Sequence, residues 1–120
     1  MKRIVGMMLA MGLVLSAGGL KTQKSRCNRG DVASCVDVGT YYASRDRGAQ
    51  AAPYLSRACS RGAADACDDL AFIYANAKGV RQSYTKAMRY WSRGCRLGSR
   101  SACANYDLAK ARVRRLRKRR

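Results

Sequence analysis

Three features of the sequence could do chemistry. Ser83-Tyr84-Thr85-Lys86 carries Ser and Lys at the S-x-x-K spacing of serine acyl-enzymes, with Ser83 as nucleophile and Lys86 as its base. Six cysteines, Cys27, Cys35, Cys59, Cys67, Cys95 and Cys103, could bind a metal, exchange electrons or form disulfides. Seven of the last nine residues are basic: Arg112, Arg114, Arg115, Arg117, Lys118, Arg119 and Arg120. Such a cluster attracts polyanions: nucleic acid, anionic lipid or acidic glycans. The 120 residues contain no His and no Glu, which excludes His-based triads, His-ligated metals and Glu general bases.

Each feature also has a structural reading. S-x-x-K fixes only two positions, and no K-T-G or S-D-N accompanies it. Ser83 stands just ahead of an amphipathic run and suits a helix N-cap, which is the preferred reading. Zinc knuckles and catalytic disulfides both use C-x-x-C, and the sequence has none. The cysteines are therefore expected to form disulfides, with no metal or cofactor implied. The basic cluster also suits the solvated end of a helix, where the dipole favours cations.

The N-terminus bears on the redox question. Met1-Lys2-Arg3 is positive, Ile4 to Leu15 is apolar, and Ser16-Ala17-Gly18 is small, the layout of a secretory signal over residues 1–18. The apolar run is too short to span a bilayer as a helix. Gly18 stands where a lipid-attachment signal needs Cys. Cleavage near Gly19 removes Lys2 and Arg3 and lowers the formal charge from +18 to +16. A secreted or periplasmic chain with an even Cys count reads as a disulfide framework.

The elements that position these residues are written in the cysteines. CNRGDVASC, CSRGAADAC and CRLGSRSAC share one inner spacing, with Gly30, Gly62 and Gly98 three places after the first Cys. Corresponding cysteines lie 32 and then 36 residues apart, the period of a helical repeat array. Residues eight apart on one straight helix would be about 12 Å apart, too far for a disulfide. A turn must separate them, with the Gly ending one helix. Asp31, Asp65 and Ser99 are then expected to cap the next. Six cysteines allow many pairings, and the repeat favours the local one.

Between the pairs, Leu70, Tyr74 and Ala77 recur at helical spacing, residues 78–82 form a loop, and Tyr84, Ala87, Met88, Trp91 and Cys95 form a second stripe. The first copy matches with Val38, Gly39 and Tyr42, a loop near Asp46 to Gly48, then Ala51, Tyr54, Leu55 and Cys59. Pro53 requires that this helix begin within a turn of it. A last helix runs from Ala102 to about Arg117, with Asp107 at the small-residue position. The fold class is all-α: a short solenoid of α/α hairpins stapled by local disulfides. Residues 19–111 form about two full repeats with flanking half-repeats, and 112–120 form a basic tail.

The order Leu70-Ala71-Phe72-Ile73-Tyr74, Gly79-Val80, Lys86-Ala87, Tyr90-Trp91 and Cys95 to Cys103 resembles the Sel-one-like repeat, a relative of the tetratricopeptide repeat. The bridge spacing is similar to the secreted, cysteine-rich branch of that family. The resemblance covers roughly residues 25 to 110 and implies a curved scaffold that binds protein or peptide partners. It also implies, by analogy, penicillin binding or weak β-lactamase activity, for which Ser83 and Lys86 are the candidates. The leading expectation is an exported scaffold binding another macromolecule through its concave face and basic surface. A β-lactam hydrolase is the alternative, and adhesion to anionic envelope polymers or lipid is the second. Nucleic acid is the less accessible partner. Tyr41, Tyr42, Tyr74, Tyr90 and Trp91 could line a peptide groove, with at most two expected to be exposed.

Overall fold

The computed structural model describes residues 17–119. The signal-peptide expectation for residues 1–18 falls, except for its last two positions, outside the described residues. Among the described residues six helices follow one another: α1 (Ala17–Asn28), α2 (Val32–Ala43), α3 (Gly48–Ser60), α4 (Ala64–Ala75), α5 (Tyr84–Arg96) and α6 (Arg100–Lys118). No strand occurs among the described residues. Each helix packs on the next, and α3 also touches α5 and α4 touches α6. Neighbour-to-neighbour packing of this kind is how a helical repeat array builds one continuous core from hairpins.

The joints between repeats are alike. Gly30, Gly62 and Gly98 adopt φ of +104°, +100° and +103°, the left-handed conformation that a side chain disfavours. Each joint closes in the same way: the N–H of Asp31, Ala63 and Ser99 donates to the carbonyl of Arg26, Ala58 and Gly94 at 3.0, 3.0 and 2.9 Å. This is the Schellman ending of a helix, and its last residue is already the N-cap of the next. The disulfides Cys27–Cys35, Cys59–Cys67 and Cys95–Cys103 clamp each joint, with Cα atoms 4.7, 4.7 and 4.5 Å apart.

Asp31 and Ser99 cap α2 and α6, accepting from the N–H of Ser34 and Ala102. Asp65 does not cap α4. The cap position belongs to Ala63, whose side chain makes no cap bond, and Asp65 lies inside the first turn, where its charge faces the positive end of the helix dipole. Pro53 departs from expectation too: α3 starts at Gly48, five residues earlier, so the proline sits beyond the first turn. It removes a bond to the carbonyl of Ala49, and both residues are exposed, so water can replace that donor. Ala77 lies past the end of α4 with φ +54°, in the loop rather than on the helical stripe.

The core is made of small and sulfur-bearing side chains. Leu55, Leu70 and Val38 are fully buried with Cys27, Cys35, Cys59 and Cys67, and a second cluster gathers Ala71, Ala75, Ala87, Trp91, Ala102 and Ala109. At Gly39 an added Cβ would lie 2.5 Å from Leu55, so α2 and α3 approach more closely than any side chain permits. Ala71 takes the same repeat position and is buried, whereas Asp107 takes it on α6 and is exposed. That polar end face suits a terminal helix.

Candidate functional site

The repeat brings equivalent side chains of α2, α4 and α6 into rows. Thr40, Phe72 and Leu108 hold one register position, Asp37, Asp69 and Asn105 a second, and Ser44, Asn76 and Arg112 a third. Phe72 and Leu108 are 42% and 69% exposed, where most large apolar side chains of the body are covered. Three shallow hollows follow these rows. The first, about 320 Å³, lies between α2 and α4 and is walled by Thr40, Asp69, Phe72 and Asn76. The second, about 200 Å³, lies between α4 and α6 and is walled by Phe72, Asn76, Asn105, Leu108 and Arg112. The third, about 260 Å³, follows the end of α6 along Arg112, Arg115, Leu116 and Arg119. Phe72 and Asn76 line both of the first two hollows, which therefore adjoin as one groove, whereas the third shares only Arg112 with them and is bounded by α6 alone.

Charge is unevenly distributed along that groove. Asp37 and Asp69 stand on the α2 and α4 rows, and both carboxyls are pushed above the ordinary value of 3.8. Partial desolvation is the main cause for each, followed by Asp31 for Asp37 and by Asp68 and Asp65 for Asp69. The α6 end carries arginines, and no acid follows Asp107 in the sequence.

Behind the groove, Asp68 ties three helices together. Its carboxylate accepts from the indole N–H of Trp91 at 2.7 Å, from the Ser101 hydroxyl at 2.5 Å and from the Asn105 amide at 3.4 Å. Asp68 thus joins α4 to α5 and α6 and satisfies the polar atom of a buried tryptophan. Several arginines are structural as well. Arg61 and Arg93 donate to the carbonyls of Gly30 and Ser60 at 2.8 and 3.0 Å, near helix ends one repeat earlier. Nothing in the local sequence pattern signals these cross-repeat bonds.

The Ser83 hydroxyl accepts from the backbone N–H of Lys86 at 3.2 Å and caps α5. The Lys86 ammonium lies 5.0 Å from the centre of the Tyr74 ring. The S-x-x-K pair is thus occupied with a cap bond and a cation–π contact. Tyr42 and Trp91 are buried, while Tyr41, Tyr74 and Tyr90 are half-buried. Tyr42 stacks on Tyr54 and Tyr74 on Tyr90, at 6.2 and 6.1 Å. The aromatic residues singled out in the sequence mostly pack the repeats, and the exposed apolar groups of the groove are Phe72 and Leu108. Residues 112–118 of the basic cluster continue α6 as helix, with every basic member exposed.

No protein-family profile and no curated protein matches the sequence. Among solved structures, the chain is similar to cysteine rich protein B of Helicobacter pylori, with 27% identity and a TM-score of 0.64 over 72% of this chain and 68% of that one. The chain shares the fold of that cysteine-rich protein, an all-helical repeat with local disulfides, in keeping with the Sel-one-like resemblance. The three local bridges and the all-helical order are those expected from the cysteine repeat and the helical spacing. Disulfides and this neighbour are compatible with an extracytoplasmic protein. Among the described residues no helix is long and apolar enough to cross a membrane.

Proposed function

We propose that this protein is an exported scaffold that holds a segment of another protein in the groove across α2, α4 and α6. The supporting observation is Phe72, which projects with 42% exposure between two adjoining hollows instead of joining the core. An exposed aromatic flanked by amide side chains supplies apolar contact area together with donors and acceptors for a peptide backbone. Bridges at the α1–α2, α3–α4 and α5–α6 joints brace the helices that carry these rows, which limits the freedom lost on binding. Residues 1–18 would direct export, and the oxidising compartment would maintain the bridges.

The test is photo-crosslinking in the native host from a photoreactive residue at position 72, with position 89 on the exposed side of α5 as control. A discrete adduct at 72 that is absent at 89 is the expected result. Equal labelling at both positions would dismiss the groove.

A further inference from the structure

The last helix outruns the body it packs on. α6 has 19 residues where the other helices have 12 or 13, and Ala109 is the last residue it buries. Arg112 still meets Tyr84 at the start of α5, Val113 is half-buried, and residues 114–119 are all exposed. At about 100° per residue, Leu108, Arg112, Arg115, Leu116 and Arg119 fall within roughly 100° of arc, on one side of the helix. Lys110, Arg114 and Arg117 fall on the opposite side. On the first side, Leu108 and Leu116 are 69% and 50% exposed. The hollow along Arg112, Arg115, Leu116 and Arg119 is bounded by α6 alone, so no second helix walls it off from a flat partner. We infer that this side of α6 docks on an anionic lipid surface, with Arg112, Arg115 and Arg119 on the phosphates and Leu108 and Leu116 at the upper acyl chains.

Charge complementarity selects an anion, and the leucines select a bilayer among anions. No acid follows Asp107, so nothing in this stretch neutralises its arginines. A guanidinium presents a planar fork that matches two oxygens of a phosphate, while its alkyl stem lies along apolar surface. A helix with cations and leucines on one side lies in the plane of the headgroups, with the leucines just below them. A sulfated glycan satisfies the arginines equally well but offers two exposed leucines no apolar layer. Attraction to an anionic leaflet strengthens binding about fivefold for each Arg or Lys at the surface. It decays over about 10 Å at 0.1 M salt, which is also about the width of a helix. Arginines on the docked side therefore act at nearly full strength, and Lys110, Arg114 and Arg117 on the far side are screened. Which side carries the charge matters as much as the amount of charge.

Docking here does not depend on the groove, so the crosslinking result at position 72 leaves it untouched. The disulfide-bonded exported protein is cosedimented with vesicles of phosphatidylcholine containing about one third phosphatidylglycerol, and with phosphatidylcholine alone, at about 0.1 M salt. Heparin retention is measured on the same proteins. Three variants are compared, each checked for native helix content. One combines Arg112→Gln, Arg115→Gln and Arg119→Gln, the second combines Lys110→Gln, Arg114→Gln and Arg117→Gln, and the third is Leu116→Ser. The parent should bind the anionic vesicles and not the neutral ones. The first triple should weaken vesicle binding about tenfold or more, and at least about fivefold more than the second, while both lose heparin retention equally. Leu116→Ser should weaken vesicle binding about threefold or more and leave heparin retention unchanged. Equal losses on vesicles from the two triples would show a diffuse field and overturn the inference. So would unchanged vesicle binding in Leu116→Ser, or equal binding to neutral vesicles. Heparin retention lost selectively in the first triple, with no binding to anionic vesicles, would reassign the surface to an acidic glycan and overturn it as well.

Discussion

Two residues carry opposite lessons about local chemistry. Ser83 and Lys86 have an acyl-enzyme spacing, yet the hydroxyl oxygen is engaged at the first turn of α5 and the ammonium rests on Tyr74. A serine nucleophile needs a base oriented toward its oxygen and donors placed for the oxyanion. Incubation with a millimolar β-lactam should therefore give no covalent adduct by mass spectrometry. Ser83→Ala should cost about 1 kcal/mol in denaturant unfolding, and Ser83→Asp should restore it. A mass increase lost in Ser83→Ala would instead establish the enzyme. Asp69 illustrates the converse, a residue without a local motif whose surroundings matter. Its folded-state carboxyl sits above 3.8 because of desolvation and then Asp68 and Asp65. The folded chain thus holds this proton more tightly than the unfolded chain, so ionisation opposes folding. The penalty is full at neutral pH and fades as pH falls through the raised value toward 3.8. Asp69→Asn should raise Tm at pH 7 and give no gain below about pH 3.8, and a gain that persists in acid would point to a different cause.

At the scale of the helix joint, several weak determinants coincide. The left-handed Gly, the paired Schellman bonds and the disulfide all impose the same turn. Closing a nine-residue loop is worth about 2.5 kcal/mol in the chain-entropy model. Because the hydrogen bonds of the joint persist without the bridge, Cys95→Ser with Cys103→Ser should cost about 1–2.5 kcal/mol and leave helix content unchanged at low denaturant. Loss below 0.5 kcal/mol would make the bridge redundant with the turn. The joints were legible in the sequence because each is set within nine residues by Gly, Cys and the cap. The cap on α4 shows where that legibility stops. Asp65 has the side chain of a cap, but the register fixed by Gly62 assigns the position to Ala63. Pro53 fails in the same way, since its tolerance depended on the solvent exposure of the Ala49 turn, which only packing decides. The groove was less legible still: Phe72 and Leu108 occupy apolar positions of a helical pattern, and whether such a residue points to the core or to the groove depends on the neighbouring repeat.

For the whole molecule, the question is what so much positive charge does. Part of it is structural, since Arg61 and Arg93 complete helix ends one repeat back, and the Arg112 guanidinium lies 5.1 Å from the centre of the Tyr84 ring. The densest run lies beyond Asp107, which holds eight of the 25 basic residues, and there α6 continues to Lys118 with its basic side chains exposed. A helix of this kind supplies two effects that separate experimentally. One is contact through the side that carries Arg112, Arg115 and Arg119; the other is a diffuse field that speeds encounter with anionic partners and fades with salt. Exposed charges are screened over about 10 Å at 0.1 M ionic strength, so retention on heparin should fall steeply as salt rises. Ending the chain after Ala111 removes the whole cluster but leaves the buried contacts of Ala102 and Ala109. The truncated chain should keep most of its helix content and lose most heparin retention. If retention were instead spread over the arginines of α3 and α5, truncation would lower it only in proportion to the charge removed. That outcome would make the end of α6 a solvated helix terminus with no special role in attracting anions.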